Sequence, residues 1–350
     1  MRILLWHVHG SWTDAFVHGD HDYFLPALPE GGPWGLGRAD RPWPQSVHEI
    51  HPEDLAAGSF DVVVLQRPEE VDEAAELLGR TPGVDIPAVY VEHNTPRGNV
   101  PDTVHPLGDQ TAIPIVHVTH FNRLLWDSGR ARTHVIEHGI RDPGPLYTGE
   151  IPHMAFVGNE PVRRWRVTGA DLLRGFADAG PIDVFGMGID GLPDATGLSP
   201  DLLTTVGDLP RGELHRQMAR RRVYIHPVRW TSLGLSLLEA MHLGMPVLAL
   251  ATTEAVRAVP PEAGVVSADV ADLHRAAARL LADPDEAART GRHARWFALA
   301  RYGLQRFLDD WDALLARVAH DSGDLLTVPY TPRRTERPAP VPRAQEGGES

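Results

Sequence analysis

Short apolar runs alternate with helix-length amphipathic stretches along most of the chain. In the first part the runs fall at 3–8, 62–65, 88–91, 113–118 and 135–136, and 68–78 and 121–128 read as helices. Near-continuous Val, Ile and Leu predict strands covered on both faces, as in a parallel sheet. A stretch rich in Pro and Gly, from Arg141 to Gly149, then interrupts the pattern and reads as a linker.

The alternation restarts beyond it. Strands are predicted at 154–157, 182–185, 222–225 and 247–250, and helices at 169–179, 210–220 and 269–282. Between Ser232 and Gly244 a glycine-containing turn runs into an apolar helix whose one acid is Glu239, and Pro246 opens the following strand. Two successive βα sets joined by a linker predict an α/β protein of two Rossmann-like domains facing a cleft, over 1–143 and 150–300. From 283 to 318 the period stays helical, and Trp296, Phe297, Phe307, Leu308 and Trp311 read as core. Residues 322–350, dominated by Pro, Arg, Glu and Gly, are expected to be disordered.

Composition narrows the function. A net charge of −14 over 350 residues argues against a general nucleic-acid partner. All 33 basic residues are arginine, which excludes Schiff-base chemistry and a Walker-type lysine. Any phosphate clamp must therefore use Arg, His or backbone N–H groups. No apolar run is long enough to span a membrane, although contact with a membrane surface stays open. The N-terminus enters a strand directly and lacks the features of a secretory signal, and the chain has no cysteine. Both points lead us to expect a cytoplasmic protein.

The segment around Glu239 carries the most chemistry. A helix that starts at a glycine turn offers unpaired N–H groups and a positive dipole end, which suits a phosphate. Ser232, Leu233, Gly234 and Leu235 form that start, and Glu239, farther in, is placed to accept hydrogen bonds from a ribose diol. On the N-terminal side, the loop after the first strand reads His7-Val8-His9-Gly10-Ser11-Trp12. There Gly10 would permit close backbone approach and Trp12 could stack on a sugar. Strands also end in Glu92-His93-Asn94 and in His117-Val118-Thr119-His120, at the edge where ligands bind in open α/β sheets. His7, His9, His117 and His120 lack metal-motif spacing, so no metal is assigned. Gly186-Met187-Gly188 lacks the rest of a dinucleotide fingerprint, which disfavours a nicotinamide enzyme.

Four segments together resemble the GT-B glycosyltransferases of the retaining group 1, or family 4, type. His138-Gly139-Ile140 resembles the family's Asn-Gly-Val before the interdomain linker. Val157-Gly158 with Thr168-Gly169-Ala170-Asp171-Leu172-Leu173 resembles its phosphate-binding segment, and Val206-Gly207-Asp208-Leu209 its base-contacting loop. Thr231 to Ala249 resembles Glu-Gly-Phe-Gly-Leu-x-x-Leu-Glu-Ala-Met-Ala-x-Gly-x-Pro-Val.

The resemblance implies a nucleotide-diphosphate-sugar donor on the second domain and an acceptor on the first. It implies transfer with retention, needing neither metal nor cofactor, and a helix at 301–321 crossing back to the first domain. It gives Glu239 the ribose, places Gly158, Asp208, Leu209 and the 231–235 turn around the donor, and makes His93 a contact to the donor sugar. Two departures stand out. Thr231 replaces the first of the family's paired glutamates, and Asn159 and Thr168 replace its diphosphate-binding Arg and Lys. Arg163, Arg164 and Arg166, in a longer loop, are the expected substitutes, with Arg163 and Arg166 acting in catalysis alongside His93. His9, Gly10, Ser11, Trp12 and His120 are expected on the acceptor side. The departures also motivate an alternative: a catalytically degenerate nucleotide-sugar-binding or partner protein.

Overall fold

The computed structural model describes residues 1–321, so the 322–350 tail lies outside the described residues. The first sheet contains β1 (Arg2–Leu5), β2 (Asp22–Pro26), β3 (Val47–Ile50), β4 (Val62–Leu65), β5 (Ala88–Glu92), β6 (Ile115–His117) and β7 (Thr133–Val135). Its order is β3-β2-β1-β4-β5-β6-β7. The second contains β8 (Ile151–Val157), β9 (Ile182–Phe185), β10 (Leu203–Gly207), β11 (Arg221–His226), β12 (Val247–Leu250) and β13 (Gly264–Ser267), in the order β10-β9-β8-β11-β12-β13. Neighbouring strands run parallel in both sheets. Each sheet grows outward from its first strand and then reverses, leaving a crevice at the carboxyl ends of the strands.

The apolar runs explain this layering. Side chains alternate across a strand, so Ile3, Leu5, Val62 and Val64 enter one core while Leu4, Trp6, Val63 and Leu65 enter another on the opposite face. The second sheet divides in the same way, with Tyr224, Val247 and Ala249 on one side and Val223, Ile225, Leu248 and Leu250 on the other. Four strands are not evident from the pattern: β2, β3, β10 and β13. Each is short, and β3 leaves His48 and Glu49 exposed, so no apolar run marks it. The helix expected over 169–179 is broken. Gly169, at φ +76°, ends the helix Trp165–Thr168, and a 3-10 turn, Ala170–Leu172, precedes Leu173–Ala177.

At its end the chain changes domain. The helix Pro284–Tyr302 buries Ala294, Ala298 and Tyr302 in a core of the second domain. Gly303 is extended, and the helix Leu304–Asp321 then sets Phe307, Leu308, Trp311, Leu314 and Leu315 among Ile3, Trp12 and Phe16 of the first. The crossing lies against the linker: Ile140 N donates to Tyr302 O at 2.8 Å, and Arg301 pairs with Glu137. Arg306 Nη2 donates to the carbonyls of Glu137 and His138. Gly139 is needed at this point, because a Cβ there would lie 2.3 Å from Phe307 Cβ.

Candidate functional site

A cavity of about 410 Å³ opens between the domains at the carboxyl ends of the strands. Most of its wall comes from the second domain. The helix Leu235–Leu243 begins in it, capped by Gly234 without a side-chain hydrogen bond; Leu237 N turns back to Gly234 O at 3.0 Å, which leaves the amides of Leu235 and Ser236 to face the cavity. Gly234 allows the turn to approach His226, whose Cε1 would lie 2.3 Å from an added Cβ. Gly158, Asp208, Leu209, Thr231, Leu233, Gly234, Leu235 and Glu239 all line this cavity, and Ser11 joins them from the first domain. Ser232 lines the adjoining cavity, of about 640 Å³, which shares Thr231 and Arg164 with the first.

Glu239 is buried at 6% exposure. After β10 the loop Asp208-Leu209 leads through Pro210 into the helix Arg211–Arg220. There Arg211 and His215, four residues apart, present one face to the acid. Arg211 Nη2 lies 3.1 Å from Oε1 of Glu239, and His215 Nε2 lies 3.5 Å from Oε2 without completing a hydrogen bond. Burial pushes the Glu239 carboxyl up, but His215 and the Arg211 charge outweigh it and hold the group below its ordinary value. The acid is therefore ionised at neutral pH. Arg211 also bonds Asp14 Oδ2 of the first domain, tying the two halves together at the cleft.

The three loop arginines separate in space. Arg163 is paired with Glu160, although it lines the adjoining cavity. Arg166 is 73% exposed, faces Asp171 and lies outside the described cavities. Arg164 lines both cavities and, among the described residues, makes no hydrogen bond or ion pair through its guanidinium. Asn159 instead accepts from Met187 N at 3.0 Å, bracing the loop after β9. Gly169 brings the base of the arginine segment against Pro227, whose carbonyl oxygen would lie 1.9 Å from an added Cβ.

On the first domain, His93 is buried and lines the adjoining cavity. Gln66 Nε2 donates to Trp6 O at 2.7 Å, which turns Gln66 Oε1 toward His93 Nε2 at 3.1 Å. That arrangement puts the proton on Nε2 and leaves Nδ1 as an acceptor. Burial keeps His93 neutral by holding its pKa well below the ordinary value. His9 packs on His93 with ring centroids 4.0 Å apart, and burial together with Arg67 lowers its pKa to about 4.

Three expected acceptor-side residues lie elsewhere. Trp12 is buried among Phe16, Phe307 and Trp311, because its helix turns the indole into the core, so it has no face for a sugar. Gly10 starts the helix Gly10–Phe16 beneath Arg41. His120 is exposed at the start of His120–Leu125 and lines none of the cavities described. Sequence reasoning missed Asp14, Arg211, His215 and His226. The Arg211/His215 spacing behind a proline was the available signal; Asp14 offered none. Among the described residues no group of three His, Asp or Glu could hold a metal ion, and no helix is long and apolar enough to cross a membrane.

Two facing parallel sheets with a terminal helix returning to the first domain constitute the GT-B fold of glycosyltransferases. Residues 197–296 match the family described as glycosyl transferases group 1. No curated protein matches the chain by sequence. Among solved structures, a sucrose-phosphate synthase from Thermosynechococcus elongatus superposes with a TM-score of 0.68 at 16% identity, covering 91% of this chain and 99% of that one. Anabaena HepE in complex with UDP gives 0.69 at 14% identity, covering 91% and 100%. Its complex with UDP-glucose gives 0.65 at 15%, covering 91% and 100%.

Proposed function

We propose that this protein is a glycosyltransferase that moves a sugar from a nucleotide-diphosphate donor to a hydroxyl acceptor with retention of configuration. The observation that carries the reading is an ionised, buried Glu239 beside an uncapped helix start in the interdomain cavity. Glu239 accepts the ribose hydroxyls, and the first-turn amides of Leu235–Leu243 receive the diphosphate. Arg164, the loop arginine with no ion pair among the described residues, adds the fork that a lysine-free chain needs for phosphate oxygens. The complexes of HepE with UDP and UDP-glucose support a uridine nucleotide as the first donor to test.

In the transfer, an acceptor oxygen bonds to the anomeric carbon as the bond from that carbon to the diphosphate oxygen breaks. The electron pair stays on the diphosphate, and the acceptor proton passes to a leaving phosphate oxygen on the same face. No protein nucleophile is required. Charge building on the leaving group is met by Arg164 and the helix amides, a kind of stabilisation worth roughly 3–4 kcal/mol per donor. Neutral His93 accepts a hydrogen bond from a donor-sugar hydroxyl through Nδ1. Neither a metal nor a cofactor enters this scheme, since arginine and backbone donors supply the positive charge.

A second reading has its own support. Thr231 stands where an acid would contact the sugar, and Arg163 and Arg166 are committed to Glu160 and Asp171. A nucleotide-sugar-binding protein without turnover fits those facts. Nucleoside diphosphate release, measured over a panel of donors and acceptors, decides between the two. Release above the spontaneous rate supports the transferase; nucleotide binding with no release from any pair supports the binder.

A further inference from the structure

A third cavity, of about 430 Å³, lies wholly within the first domain, beside the groove described above. It shares Asn94, Thr95 and Arg97 with the cavity that His93 lines, which in turn shares Arg164 and Thr231 with the nucleotide cavity. The three form one path from Glu239 past His93 to the far wall of the first domain. Ring surfaces and cations meet at that end: Tyr90 and Trp126 line it, together with His9, Arg67 and Arg97.

Arg67 is held in place at some cost. Its Nε donates to Glu70 Oε1 at 2.8 Å, and its guanidinium lies 4.0 Å over the Trp34 ring. Glu70 is fully buried and its other oxygen accepts from Gln66 N at 2.5 Å. Burial pushes the Glu70 carboxyl up to about 7, with the Gln66 amide and Arg67 pulling it back, so the pair is held in a largely desolvated setting. Arg67 Nη2 is buried without a hydrogen-bond partner among the described residues. Across the cavity the Arg97 side chain forms no hydrogen bond or ion pair among the described residues. The acid in the wall, Glu92, is already occupied: His105 Nε2 lies 3.0 Å from one oxygen and Asn94 N donates to the other at 2.6 Å. The cavity thus carries two guanidinium groups, of which the exposed Arg97 has its donors unused, and the carboxylate in its wall is already bonded.

We infer that this cavity binds an acceptor that carries an acidic group, a carboxylate or a phosphate, which Arg67 and Arg97 receive while its reacting hydroxyl extends toward His93. The inference rests on the transferase reading for the hydroxyl's fate, but the binding of the anion does not depend on turnover. Trp126, partly exposed, offers the apolar face of a small polyol ring something to lie against, and the guanidinium forks select its charged substituent.

Matched compounds test this on the full chain. Glucose, glucuronate and glucose 6-phosphate are titrated calorimetrically in the presence of saturating UDP, against the native protein and against Arg97→Ala and Arg67→Ala. UDP titrated alone reports the nucleotide site independently, so failure there counts against the transferase reading and not against this one. At least one charged sugar should bind tenfold or more tightly than glucose, and Arg97→Ala should remove most of that advantage. Glucuronate or glucose 6-phosphate winning tells carboxylate from phosphate. Equal affinities for charged and neutral sugars, no binding by either charged sugar, or an advantage untouched in Arg97→Ala would each overturn the assignment. Because Arg67→Ala strands Glu70 in the core and can unfold the domain, Arg97→Ala is the deciding variant.

Discussion

Arg211 reaches Glu239 with one nitrogen, at 3.1 Å, while its other terminal nitrogen holds Asp14 of the opposite domain. A nucleotide ribose that bonds Glu239 therefore enters a charge network already spanning the cleft. The acid is kept ionised by its neighbours and is ready to accept.

Glu239→Gln keeps the size of the side chain and removes its charge. If the ribose diol bonds this carboxylate, the substitution should weaken UDP binding by about 1.5–3 kcal/mol, roughly 10- to 150-fold. Calorimetric titration measures it, and an affinity within about twofold of native would refute the ribose role.

Arg211→Met should destabilise the protein by roughly 1–2 kcal/mol. That is less than the roughly 3–5 kcal/mol typical of breaking a fully buried pair, because Arg211 is 31% exposed and His215 remains beside the acid. Asp14→Asn should cost less still. Urea unfolding of the two variants checks the order.

Arg164→Ala should weaken UDP binding by about 1.5–3 kcal/mol while changing uridine binding little, since the guanidinium is assigned to phosphate. Arg166→Ala, whose side chain is exposed and turned to Asp171, should change UDP affinity less than twofold. Equal losses in both variants would contradict the division of labour among the loop arginines.

Stability should fall in mild acid. Burial lowers the pKa of His9 and of His226 to about 4 and that of His138 to about 3, against an ordinary value of 6.5. With folded values below unfolded ones, the unfolded chain binds protons first, so stability is complete above about pH 6.5 and is lost as pH falls toward 4. Each histidine contributes a slope of at most about 1.4 kcal/mol per pH unit in that window. His138→Gln should make the decline shallower by about one proton, as read from urea unfolding between pH 7 and 4.5.

Phe307→Ala should cost about 3–5 kcal/mol, as expected for emptying a fully buried aromatic site. Gly139→Ala should also destabilise, because the new methyl group meets the Phe307 side chain. Both effects should appear in urea unfolding with nucleotide absent.

The parts of the site that were legible are those whose meaning is local. The turn at 231–235, the helix bearing Glu239 and the strand after Pro246 follow one another in the chain, so their spacing alone placed them. The contacts made at a distance were not legible. Asp14 and Arg211 are 197 residues apart, and neither position marks the other. The loop arginines show a different limit: Glu160 and Asp171 lie only three and five residues from Arg163 and Arg166, so those partners were within local reach, whereas the facing of Arg164 into the cleft depends on the fold. Trp12 reads equally well as a stacking platform or as core, and only the rotation of its helix decides. For β3 the sheet supplies a register that the sequence does not advertise, since only Val47 and Ile50 flank an exposed His48-Glu49 and no apolar run marks the strand.

The linker and the break at Gly303 cross between domains side by side, joined by Ile140 N to Tyr302 O, by Arg301 to Glu137 and by Arg306 to the backbone at 137–138. Two separate tethers would let the halves slide or twist past one another. Two tethers bonded into one seam act as the spine of a book. Such a seam resists sliding and leaves rotation about its own line as the easier motion, and Asp14, which faces both Arg211 and the linker residue Arg141, adds a charged contact beside it.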